Sequence, residues 1–136
     1  MADPRHPRGL IDTSVVIDLE LIEASDLPAE IAVSAITMAE LAAGPHATTD
    51  PAERARRQDR LQRAEATFEP LPVDSAVARA YGRVYAAVGA AGRKARGRRA
   101  VDLFIAATAV ASGLPLYTRN PDDFAGLSEM LEIVTV

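Results

Sequence analysis

The sequence predicts an α/β fold in which a parallel β-sheet of four to five strands is covered on both faces by helices. Two observations lead to it. Short apolar runs alternate along the chain with longer stretches of helical periodicity, the pattern in which each helix bridges two parallel strands. The 136 residues also contain no repeat, linker or low-complexity segment, so they read as one domain over 1–136, with residues 1–8 as a flexible N-terminal extension.

Residues 8 to 12 form the first expected strand. Val16, Ile17, Leu19 and Leu21 then space a short helix from Thr13 to about Glu23. "AEIAVS" is the second strand, and Ser34 at its end is placed to cap a helix through Ile36, Met38, Leu41 and Ala42 that stops at Gly44-Pro45. Asp50-Pro51-Ala52-Glu53 joins a capping aspartate, a first-turn proline and a glutamate three residues past the cap, opening an arginine-rich helix to about Thr67. "FEPLPV" is the third expected strand. Asp74 caps the next helix, whose Val77, Ala80, Tyr81, Val84, Tyr85 and Val88 recur at three-and-four spacing until Gly89 and Gly92 end it. After the basic stretch "RKARGRR", a helix from about Ala100 to Ser112 closes at Gly113. "LPLYT" and "LEIVTV" complete the strands.

Composition removes several classes of function. Cysteine is absent, so disulfides and thiolate metal sites are excluded, a reducing cytoplasm suits the chain, and any bound metal sits on oxygen. "MADPRHPRG" lacks the apolar core of a secretory signal, so export is not expected. No apolar stretch reaches the roughly 20 residues that a bilayer requires, and no membrane partner is expected. Net charge is −4, and 14 of the 15 basic residues are arginine. An acidic chain binds nucleic acid only where its positive charge is gathered on one face. "GRKARGRR" gathers Arg93, Lys94, Arg96, Arg98 and Arg99 in the loop entering the last helix, a placement suited to RNA phosphates. Arg54, Arg56, Arg57, Arg60 and Arg63 read as the solvated face of their helix.

Four carboxylates stand apart from the surface acids. In open parallel sheets functional groups gather beyond the carboxyl ends of the strands, where strand order reverses. Asp12 ends strand one, Glu40 lies in the helix after strand two, Asp102 starts the apolar helix "VDLFIAATA", and Asp123 follows strand four in "TRNPDDF", all on the same rim. Were they to converge to about 5 Å, each ionised pair would repel by about 3 kcal/mol at an effective dielectric near 20. Protonation of some members or two divalent cations would relieve that repulsion, and Mg²⁺ or Mn²⁺ suits an all-oxygen set. The matching chemistry is hydrolysis of a phosphodiester by a metal-activated water. Thr13 and Ser14 are placed to hydrogen-bond the acids or present amides to a phosphate, and Thr118 and Asn120 to fix the loop carrying Asp123. Each residue has a plainer reading beside this one: Asp12 and Asp102 as helix-start acids, Glu40 as a solvent-facing side chain, Thr13 and Ser14 as caps, Thr118 as a strand end, and Asn120-Pro121 as a turn.

The motifs "LIDTSVVIDL", "SAITMAELAAG" and "RRAVDLFIAATAVASGLPLYTRNPDDF", in that order, resemble a PIN domain, and the short chain is similar to the VapC toxins of bacterial toxin–antitoxin pairs. The resemblance implies a PIN-like three-layer sandwich and a Mg²⁺- or Mn²⁺-dependent endoribonuclease acting on RNA. It also implies a homodimer and inhibition by a VapB-type antitoxin, which the basic loop could equally contact. By the same resemblance Asp12, Glu40, Asp102 and Asp123 take the acidic, metal-binding positions; Asp123 is preferred to Asp122 because the family pattern sets its acid directly before the phenylalanine, here Phe124.

Other readings compete. A signalling receiver domain also places acids and Mg²⁺ above a parallel sheet, but it needs an aspartate ending its middle strand and a lysine late in the chain, and Lys94 is misplaced for that role. A PIN-like nuclease without an antitoxin, a nuclease acting on DNA, and a non-catalytic nucleic-acid-binding PIN module remain as alternatives of the same fold.

Overall fold

Leu10 and Ile11 are consecutive, so in an extended chain their side chains point to opposite faces, and this alternation divides the core in two. The computed structural model describes residues 6–92 and 98–136. Within these residues four strands form one sheet, β1 (Arg8–Ile11), β2 (Glu30–Ala32), β3 (Leu116–Thr118) and β4 (Ile133–Thr135), in the order β2-β1-β3-β4 with every pairing parallel. Among the described residues five α-helices cover it: α1 (Thr13–Ile17), α2 (Ala35–Ala43), α3 (Pro51–Thr67), α4 (Ser75–Ala90) and α5 (Arg98–Ser112).

On one face Leu10, Ala32 and Leu116 pack with Val77, Ala80, Val84 and Val88 of α4 and Leu103, Ile105, Ala106 and Ala109 of α5. On the other, Ile11, Val33 and Tyr117 pack with Val15 and Val16 of α1, Leu41 of α2 and Ala64 of α3. The result is the expected three-layer sandwich. Fully burying each of the larger side chains contributes about 1.5–3 kcal/mol. Between the two outer helices Tyr81 stacks on Phe104, with ring centroids 4.1 Å apart and planes inclined by 13°.

Capping sets the helix starts. The side chains of Asp12, Ser34, Asp50 and Asp74 accept from the amides of Val15, Thr37, Ala52 and Val77 respectively. The arginines of α3 are mostly engaged in fixing that helix. Arg54 donates to the carbonyls of Pro45 and Thr48, Arg57 to Glu53 and the Gly44 carbonyl, Arg56 to Glu53, and Arg63 to Glu20.

Two expectations are corrected. "FEPLPV" is not a strand: Pro70 and Pro72 have no N–H to give, and only Leu71 pairs, its amide donating to Val33 and its carbonyl accepting from Ala35. The first helix ends at Ile17 rather than near Glu23 and gives way to 3₁₀ turns at Leu19–Leu21 and Ala24–Asp26. Val15, Val16 and Ile17 are consecutive β-branched residues with low helix propensity, and Ile17 and Leu21 face solvent, so no buried stripe extends the helix. The carbonyls of His6 and Pro7 accept from the amides of Ala29 and Glu30, continuing the β1–β2 pairing, and His6 Nε2 lies 2.5 Å from Glu132 Oε2.

Gly9 is needed by its neighbour. A Cβ there would stand 2.6 Å from Tyr117 Cε1 and 3.1 Å from Pro28 Cβ, because the tyrosine ring lies across the strand. Among the described residues no helix is long and apolar enough to cross a membrane.

Candidate active site

Strand order reverses between β1 and β3. From β1 the chain crosses to β2 on one side, while β3 leads to β4 on the other, so the crevice beyond their carboxyl ends is where such sheets hold ligands. The register Ile11↔Tyr117 brings the next residues, Asp12 and Thr118, side by side at that point. Both lie two residues beyond core positions facing α5, Leu10 and Leu116, and so continue on the α5 side.

Asp12 is 6% exposed and caps α1. Its Oδ1 accepts from Val15 N at 3.1 Å and from Ser14 Oγ at 2.5 Å, and its Oδ2 accepts from Thr118 Oγ1 at 2.5 Å. These hydroxyls are themselves fixed by amides: Arg119 N donates to Ser14 Oγ at 3.1 Å and Asn120 N to Thr118 Oγ1 at 2.9 Å. One oxygen of Asp12 thus serves the helix while the other joins the strands.

Glu40 is half-buried on α2, and its Oε1 lies 2.5 Å from Thr13 Oγ1. Thr13 Oγ1 is also 3.1 Å from the hydroxyl of Thr37. Thr37 is fully buried, and its amide donates to Ser34 Oγ at 3.1 Å. Thr37 lies inside the motif "SAITMAELAAG", where nothing in the sequence assigns it a role. Its only signal is a hydroxyl midway between the Ser34 cap and Glu40, at i, i+3 spacing on a helix face that otherwise buries Leu41.

The other two acids belong to neighbouring elements. Asp102 is half-buried and one turn N-terminal to Ala106 on the stripe of α5 that faces the sheet. Asp123 lies in a 3₁₀ turn, Pro121–Phe124, anchored by fully buried Phe124. Arg99, in the first turn of α5, donates to the Asp123 carbonyl at 3.0 Å and ties that turn to the helix. Arg93, Lys94 and Arg96 lie outside the described residues, as does the side chain of Arg98.

The structure thus links Asp12 with Ser14, Thr118 and, through Thr118, the Asn120 amide, and links Glu40 with Thr13, while Arg99 ties the main chain at Asp123 to the start of α5. Among the described residues no three acidic or histidine side chains are arranged to hold a metal ion. The donor chemistry nonetheless fits a hard cation. A carboxylate offers about four lone-pair positions, and three on Asp12 are filled, which leaves one on Oδ2. All the neighbouring donors are oxygens.

A parallel sandwich with a hydroxyl-held aspartate at its switch point defines a class of α/β proteins with an acidic site between the central strands. The PIN domain family matches residues 10–129, and the chain belongs to that family, among its VapC members. Ribonuclease VapC5 of Mycobacterium tuberculosis is 36% identical over 133 residues, covering 94% of this chain and 95% of that protein. Ribonuclease VapC4 of the same organism is 35% identical, covering 95% and 97%. Among solved structures, that of VapBC-5 from M. tuberculosis, a member of the VapBC family of toxin–antitoxin systems, superposes with a TM-score of 0.81 at 35% identity over 96% of this chain and 99% of that one. FitAcB of Neisseria gonorrhoeae superposes at 0.69 with 25% identity, over 93% and 96% of the two chains.

Proposed function

We propose that this chain is a Mg²⁺- or Mn²⁺-dependent endoribonuclease and the toxin half of a toxin–antitoxin pair, acting in the cytoplasm as a homodimer and restrained by a VapB-type antitoxin. The relatives named ribonucleases span nearly the whole chain, and the VapBC-5 structure comes from a toxin–antitoxin system. The observation that carries the reading is Asp12, a buried carboxylate fixed by three donors at the switch point with one lone pair to spare.

Asp12, Glu40, Asp102 and Asp123 are the residues to hold the cation, which would supply an activated water and charge neutralisation at the departing 3′ oxygen. Asp12 keeps a fixed orientation because three donors restrain its rotamer. Glu40 is held through Oε1, leaving Oε2 to orient the attacking water and accept its proton as the new P–O bond forms and the P–O3′ bond breaks. The basic run Arg93, Lys94, Arg96, Arg98 and Arg99 supplies phosphate contacts at the entry to α5.

Incubating the protein with total cellular RNA, with and without Mg²⁺ or Mn²⁺, and mapping the new ends tests the proposal. Discrete metal-dependent ends that disappear in Asp12→Asn are expected. Intact RNA under all conditions overturns it, and growth arrest that persists on co-expression of the adjacent gene's product removes the antitoxin.

A further inference from the structure

We infer that Thr37 is a positioning residue whose buried hydroxyl sets the direction of the Thr13 hydrogen bond to Glu40. This inference rests on the nuclease reading above.

Thr13 Oγ1 stands within bonding distance of two oxygens, Glu40 Oε1 at 2.5 Å and Thr37 Oγ1 at 3.1 Å, yet a hydroxyl has one hydrogen. The shorter contact has the length of an O–H···O⁻ bond, and an ionised carboxylate has no hydrogen of its own to give. The Thr13 hydrogen therefore belongs to Glu40. Thr37 must then donate to Thr13, and Ser34 Oγ, 3.5 Å from Thr37 Oγ1, stands behind it. Hydroxyls at 34, 37 and 13 thereby form a one-way relay ending on the glutamate, and hydrogen bonds in such a chain polarise one another. Without the Thr37 hydrogen, the Thr13 hydroxyl is free to turn, and Glu40 loses its only fixed donor among the described contacts. Thr37 is fully buried, so water does not replace it.

Thr37→Val keeps the side-chain shape and deletes the hydroxyl; Thr37→Ser keeps the hydroxyl and deletes a methyl. For the purified full chain cleaving RNA, Thr37→Val is expected to lower kcat about 10- to 100-fold, the usual effect of removing an outer partner of a metal-site ligand, with KM little changed. Thr37→Ser is expected to restore most of that turnover. Thr13→Val is expected to cost as much as Thr37→Val, and the double variant no more than either, because all three break the same relay. A readout independent of turnover is the crystal structure of metal-free Thr37→Val, in which the Glu40 carboxylate is expected in a different rotamer or without a single position. Wild-type kcat in Thr37→Val, additive losses in the double variant, or an unmoved Glu40 overturns the relay. Absence of cleavage by the wild-type chain overturns instead the nuclease reading on which it rests, and the crystallographic comparison still decides whether Thr37 positions Glu40.

Discussion

Thr118 Oγ1 lies 2.5 Å from Asp12 Oδ2 although 106 positions separate the two residues in the chain. The contact is a direct product of the parallel β1–β3 register, which sets the first residue past each strand beside the other. Asp12 therefore serves the helix cap and the strand pairing at once, and substitutions separate these from its proposed part in cleavage. Asp12→Asn retains a capping oxygen and is expected to abolish metal-dependent RNA cleavage with little change in stability. Asp12→Ala leaves Ser14, Thr118 and the Val15 amide without an acceptor and is expected to cost a further 1–3 kcal/mol or about that. Chemical denaturation of the metal-free proteins checks the difference; equal stability of the two variants would remove the capping role.

Thr118→Val deletes the other half of the contact while keeping the side-chain volume. It also strips the Asn120 amide of its acceptor. A stability loss of about 1–3 kcal/mol is expected, together with a fall in cleavage of about 10- to 100-fold. Unaltered turnover in a folded Thr118→Val protein would show that the strand-to-strand bond does not serve the site.

Gly9 and Tyr117 give a prediction about packing alone. The Cβ of Gly9→Ala would stand 2.6 Å from Tyr117 Cε1, and the ring is buried, so the variant is expected to lose about 1–3 kcal/mol through overpacking. Combining it with Tyr117→Leu should recover part of that loss relative to the sum of the single changes. Strict additivity in denaturation midpoints would mean that the ring is not what excludes the methyl.

Acid sensitivity at the start of α3 follows from Glu53. Hydrogen bonds from Arg56 and Arg57 hold its carboxyl below the usual 4.5. A lowered folded pKa stabilises above the unfolded value and is lost as the pH falls through the folded one. The difference in thermal midpoint between wild type and Glu53→Gln is thus expected to be present at pH 7 and to vanish on titration well below pH 4.5. The carboxylate is only partly buried, so the effect is small and weakens with added salt. A difference that survives at the lowest pH would assign Glu53 a role other than charge.

Much of this architecture was legible because it depends on local signals. Caps at Ser34, Asp50 and Asp74 and the three-and-four spacing of Val77, Ala80, Val84 and Val88 fix helices wherever the rest of the chain lies. Asp12 was legible for the same reason, as a carboxylate ending an apolar run. What was not legible depends on partners distant in sequence. Leu71 between two prolines offers a single N–H, enough for one bridge to Val33 and Ala35 but not for a strand, and only the folded neighbour reveals which. Thr37 carries no pattern of its own. Its meaning comes from Thr13, 24 residues away, and that pairing exists only once α1 and α2 are packed.

The β1–β3 pairing also fixes the order of events during synthesis. Asp12 emerges early from the ribosome, but its partner Thr118 and the turn bearing Asp123 are made in the last fifth of the chain. Until then the first strand lacks one of its two neighbours, and contacts so remote in sequence form late. A prematurely terminated product ending before β3 carries the first aspartate without the strand whose Thr118 orients it, so the fixed position of that carboxylate belongs to the finished chain alone.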